Sequence, residues 1–220
     1  MPEGLIGPSR RVLEPIERVC EVLFGLIMVL GITGSFSVAE AGHGDVHTML
    51  LAALGCNLAW GIIDGIFYLM GCLAERGRAL MTVLAVRRAS NPNVANQLIA
   101  GALPPLVASI LQPPEFEAIR EGVSRLPEPV GPARLGKDDY LGAIAVLLLV
   151  FFSTFPVVIP FLMLSDGAHA LRISQTIGIG MLFLSGHAFG RASGRSPWGM
   201  GFLMVVLGCL LVGLTVALGG

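Results

Sequence analysis

The sequence predicts an all-α membrane protein. Five transmembrane helices form a bundle with the N-terminus inside and the C-terminus outside, and a helical cytoplasmic segment lies between spans two and three. Three observations predict it. Of the 220 residues, 54% are hydrophobic and only 13% charged, about half the ~25% charge of an ordinary soluble domain. Five stretches are apolar over the roughly 20 residues that a helix needs to cross a bilayer. Lys and Arg fall almost wholly on one side of the resulting topology, as the positive-inside rule requires. The excess is aliphatic and small, since 29 Gly accompany only 2 Trp and 2 Tyr, a composition that lets helices pack closely in lipid.

Residues 22–39 are uncharged and, with Ile16 to Glu21 leading in, make the first span. The second, 46–74, carries one charge, Asp64. Residues 75–138 are too long for a tight connection and too apolar in parts for a tether. Leu80 to Val86 continues helically from the second span, and Asn93 to Leu111 is a helix interrupted by Pro104-Pro105. Glu115 to Leu126 is an amphipathic helix opened by Pro113-Pro114, and Pro127, Pro129 and Pro132 mark a linker. The third span is 140–165, bent by Pro156 and Pro160, which remove backbone donors and free carbonyls at membrane depth. Residues 173–190 form the fourth span and 196–220 the fifth. The divisions are therefore 1–74, 75–138 and 139–220.

With the N-terminus inside, thirteen Lys and Arg lie on the cytoplasmic side and only Arg172 outside. The expected place is a bacterial inner (plasma) membrane, with the N-terminus and residues 75–138 cytoplasmic. Ala39-Glu40-Ala41 has the spacing of a signal-peptidase site. The polar lead with Glu14, Glu17 and Glu21 and the long apolar run argue that the first span is retained. Net charge is -1 with no dense basic run, which excludes a nucleic-acid partner. Cys20, Cys56, Cys72 and Cys209 lack the close pairing of a disulfide framework.

Asp64 carries the most chemistry, because a carboxylate inside a spanning helix costs a few kcal/mol and must face protein or water. Asn57, Gly61, Asp64 and Tyr68 stand at i, i+4, i+7 and i+11, one polar stripe of helix two. Gly61 and Gly65 let another helix approach at that level. The plainer alternative is a buried, hydrogen-bonded carboxyl with a structural role. On the first helix Glu14, Glu17, Glu21 and Met28 share a face running inward from the cytoplasmic edge: carboxylates gather cations, and a thioether is a weak soft ligand. The alternative there is interfacial pairing of Glu17 and Glu21 with Arg18 or Arg76, with Met28 as packing.

Two further metal sites are candidates. Outside, His43, Asp45 and His47 in one loop and Asp166 and His169 in another offer imidazole and carboxylate ligands if the loops meet. Inside, Glu115, Glu117 and Glu121 offer oxygen ligands, against a salt-bridged face with Arg120 and Arg125. His187 is expected to be an interfacial hydrogen-bonder. No Ser-His or paired-Asp arrangement occurs at matching helix depths, so an enzyme is not expected.

The C-terminal motifs resemble the vacuolar iron transporter family. They are Phe155-Pro-Val-Val-Ile-Pro-Phe-Leu in the third span, Phe189-Gly-Arg ending the fourth, and Ser196-Pro-Trp-Gly-Met-Gly-Phe-Leu-Met-Val-Val-Leu-Gly opening the fifth. The resemblance covers about 130 residues with motifs of moderate specificity. It implies a five-span homodimer that moves ferrous iron or another divalent ion out of the cytosol, coupled to protons. The divalent metal is then substrate, and no cofactor is expected. Phe24-Gly25-Leu26-Ile27 is similar to the run before the family's Asp-Gly, where this chain has Met28-Val29. The family's intramembrane Glu and Ser-Met fall near Asn57 and Asp64-Gly65. Asp64 and Met28 would then supply from exchanged helices the carboxylate and thioether of the ion path. The other reading is a non-transporting scaffold on the same fold, whose cytoplasmic segment binds a partner.

Overall fold

The structure is a computed structural model that describes residues 13–39, 46–127 and 131–217. Among the described residues the regular elements are nine helices: α1 (Pro15–Ala39), α2 (Val46–Arg88), α3 (Pro92–Ala102), α4 (Pro105–Ile110), α5 (Pro113–Arg125), α6 (Lys137–Ser153), α7 (Phe155–Met163), α8 (Gly167–Ala192) and α9 (Pro197–Ala217). Five of them have proline as first residue and α7 has it second, at Pro156. Its fixed φ suits the first turn, and its missing N–H is one no helix uses there. Among the described residues two stretches are long and apolar enough to cross a membrane: His47–Arg88, with 42 residues, and Lys137–Met163, with 27.

The chain forms two compact units, 13–68 with 138–217, and Leu69–Lys137. The expected division at residue 75 corresponds to no break in the helix, because α2 runs on through Glu75-Arg76-Gly77-Arg78 to Arg88. A single helical glycine costs only about 1 kcal/mol, too little to stop it.

In the first unit, α1 supplies the centre of the core, with Leu26 and Val29 fully buried against Ala53 of α2, Val157 and Phe161 of α7, and Leu182 of α8. α6 and α7 are one span broken at Thr154. Pro156 has no N–H for the Phe152 carbonyl, and the Thr154 hydroxyl turns back to the Phe151 carbonyl at 2.6 Å. α8 ties to α7 where the Ser174 hydroxyl donates to the Val157 carbonyl at 2.6 Å. α8 and α9 form a hairpin whose turn needs the left-handed Gly194, φ 69°. Gly186 and Gly190 bring the backbone of α8 against Met200 and Pro197, a close approach that any side chain there would prevent.

In the second unit, Val86, Ala95 and Ile99 form a small core under Phe116, Ile119 and Val123 of α5. Asn91 caps α3 by accepting from the Asn93 N–H at 2.9 Å. Arg87 donates to the last carbonyls of α5, Val123 at 3.0 Å and Leu126, meeting the negative end of that helix. Arg76 donates to the Arg134 carbonyl at 2.7 Å and holds the irregular stretch after α5.

Candidate functional site

α1 opens with a cap built from its own acids: the Glu17 carboxylate accepts the Glu14 N–H at 2.7 Å, satisfying a donor no helical carbonyl reaches. From that turn Leu13, Ile16, Glu17, Cys20 and Glu21 follow at i, i+3, i+4, i+7 and i+8, one face of a helix. On α2, Asp64, Phe67 and Tyr68 stand at i, i+3 and i+4. The two faces line one cleft of about 290 Å³. The half-buried Asp64 therefore shares a cleft with Glu17 and Glu21. None of the described residues lining it is basic. Arg18, on the same helix, donates instead to the Leu13 carbonyl at 3.2 Å.

Behind the cleft, α2 packs closely on α6. A methyl group built on Gly65 would lie 3.0 Å from the Ala143 carbonyl oxygen, and one on Gly61 3.1 Å from that of Leu147. The two glycines thus pack α2 against α6 at the level of Asp64, as their spacing suggests. The Tyr68 ring lies over Gly142, which has no side chain to oppose it.

Asn57 belongs to the same stripe but not to the cleft lining. It is fully buried, its amide donates to the Gly25 carbonyl of α1 at 3.0 Å, and its Oδ1 has no protein partner. Met28, half-buried two turns beyond Glu21, is likewise outside the lining. Of the six expected path residues the cleft gathers four, Glu17, Glu21, Asp64 and Tyr68.

The remaining candidates lie elsewhere. Glu115 accepts the Gln112 N–H at 2.6 Å as half of a capping box. Glu117 pairs with Arg120, and Glu121 with Arg125 at 3.0 Å. Hydrogen bonding from Arg120 holds the Glu117 carboxyl below the usual carboxylate range. All three glutamates are thus engaged within α5, as the salt-bridged alternative describes. His47, Asp166 and His169 are exposed; His43 and Asp45 lie outside the described residues. Among the described residues, no group of three His, Cys, Asp or Glu side chains is placed to hold a metal ion. His187 differs from expectation: its Nδ1 has no protein partner, and its ring packs edge-on to Trp198 at 5.6 Å.

Sequence reasoning missed Leu13, Ile16, Cys20 and Phe67 as cleft residues. Their signal was the helical spacing they share with Glu17, Glu21 and Asp64. Fold and site together define, among the described residues, an all-helical protein with two helices able to cross a membrane and an acidic cleft against one of them. No model of a known protein family matches the chain, and no curated protein matches it.

Proposed function

We propose that this chain is a membrane transporter of a divalent metal ion, of the iron or manganese kind, moving it out of the cytosol in exchange for protons. The acidic cleft receives the cation on its way into the membrane. The working unit is a homodimer of five-span, N-in chains in a bacterial inner membrane, with α1, α2, α6 with α7, α8 and α9 as the spans. α1, α8 and α9 have 25, 26 and 21 residues, each enough for about 30 Å of hydrocarbon at 1.5 Å per residue.

The observation that carries this reading is Asp64. A carboxylate on an apolar helix is expensive unless it serves water or a cation, and this one faces a cleft with two more acids and no base among the described lining. Hard divalent cations accept carboxylate oxygens together with retained water, so a cation can be attracted here without a complete protein cage. Met28 and Asn57 lie further along α1 and α2, where a partly dehydrated ion would next meet a thioether and an amide oxygen.

Purified protein in liposomes is expected to pass ferrous, manganous or zinc ions, and Asp64→Asn to lower that flux at least about tenfold, since a charge lost within about 4–6 Å of a cation at an effective dielectric of about 20 removes more than ~1.4 kcal/mol of attraction. Equal flux in the variant would remove Asp64 from the mechanism.

The second reading, a scaffold whose cytoplasmic segment binds a partner, is favoured by the separate core of the second unit and by Leu106 and Ile110 of α4, 78% and 67% exposed. It expects no flux from wild type in the same liposomes.

A further inference from the structure

We infer that the cleft between α1 and α2 binds a small organic ammonium ion, one that carries an alkyl or aryl group beside its charge. This rests on the cation reading above and names a class of cation suited to the same site.

The first argument is size. The cleft measures about 290 Å³, near the lower end of pockets that take small molecules, about 300 Å³. A metal ion with six waters, at about 30 Å³ each, leaves much of that volume unfilled.

The second argument is composition. Leu13, Ile16 and Phe67 give the cleft hydrocarbon walls, while Glu17, Glu21 and Asp64 give it charge. A hydrated metal gains nothing from hydrocarbon. An ammonium ion with an apolar substituent gains twice, by removing that substituent from water and by placing its charge near carboxylates in a partly desolvated setting. Aromatic surface from Phe67 and Tyr68 adds attraction for a weakly hydrated, substituted ammonium.

The third argument is the division of labour among the acids. Glu17 is anchored on the Glu14 N–H and sits exposed at the rim. Glu21 and Asp64 are half-buried and come from different helices, so a single positive centre between them is attracted from both sides. Phe67 follows Asp64 by three residues, which places the aryl contact beside the charge contact on the same helix face.

The test is calorimetric titration of the full chain in lipid nanodiscs with benzyltrimethylammonium, and with benzyl alcohol as an uncharged aryl control. Saturable binding of the ammonium alone is expected. Asp64→Asn and Glu21→Gln, both near-isosteric, should each weaken it about tenfold or more, and Phe67→Ala about three- to tenfold. Leu162→Ala, 69% exposed on α7, should leave it unchanged. Absence of saturable binding to wild type, affinity equal to wild type in the three cleft variants, or equal binding of benzyl alcohol overturns the inference. Metal flux with no ammonium binding sinks this inference and leaves the transport reading; ammonium binding without metal flux does the reverse.

Discussion

Asn57 shows how single residues divide between holding the fold and serving a path. Its amide bond to Gly25 is a helix-to-helix hydrogen bond inside the bundle, a class worth on average about 0.6 kcal/mol in membranes. Its unpartnered Oδ1 costs about 1–3 kcal/mol. The second effect is the larger, so the side chain is a poor investment for stability alone. Asn57→Leu is therefore expected to change unfolding free energy in detergent by less than about 1 kcal/mol, or to raise it, while lowering cation flux. A loss above about 2 kcal/mol would mean that Asn57 is there to hold α1 to α2.

At this scale the sequence reveals charges and hides contacts. Asp64 is legible because a lone carboxylate stands out in an apolar run. Cys20 and Phe67 are not, because a thiol or an aromatic ring in such a run has the same composition whether it faces a cleft, a neighbour or lipid. Glu17 was legible as an acid, but its cap on Glu14 depends on where the helix begins.

Among elements, the packing of α2 on α6 is the close contact at the level of Asp64. Gly65→Leu would drive a side chain into the Ala143 carbonyl, already 3.0 Å from where a methyl would stand. It is expected to destabilise the protein by about 1–3 kcal/mol through overpacking. Gly55→Leu, on the same helix where nothing lies within 4 Å, is the comparison and should be close to neutral. Equal midpoints for the two in thermal unfolding would contradict this packing.

Arg87 is the corresponding device in the second unit. Arg87→Ala removes its donors from the final carbonyls of α5, charged hydrogen bonds of about 1.5–3 kcal/mol. Hydrogen exchange over 113–125 in the intact protein should accelerate about tenfold or more, 1.4 kcal/mol being a factor of ten; unchanged exchange would show that the clamp is idle.

The start of α5 was readable because proline marks a first turn, at Pro113, and Pro105, read as an interruption of the helix from Asn93, opens a separate helix. The break at Thr154 followed from Pro156. The seating of Gly25 against Val150 and Ser153 of α6 was not readable. It depends on contacts between elements far apart in sequence.

For the whole molecule, the distribution of charge is the organising fact. Few charges enter the apolar helices, and three acids of α1 and α2, Glu17, Glu21 and Asp64, meet in one cleft. The two-unit division fits this physically. The apolar helices build one core around Leu26 and Val29, while α3, α5 and the end of α2 build another around Ile99 and Val86, and the charges of α5 pair locally. Asp64 stands inside the apolar run of α2 and opens on the cleft, which is why the functional account turns on it.

The most direct measurement is manganous-ion uptake by proteoliposomes at a fixed inward metal gradient, comparing wild type with Asp64→Asn reconstituted to equal density and confirmed intact by size exclusion. The account predicts saturable uptake by wild type and at least an about tenfold lower rate in the variant. Equal rates, or no uptake by wild type above protein-free liposomes, would contradict it.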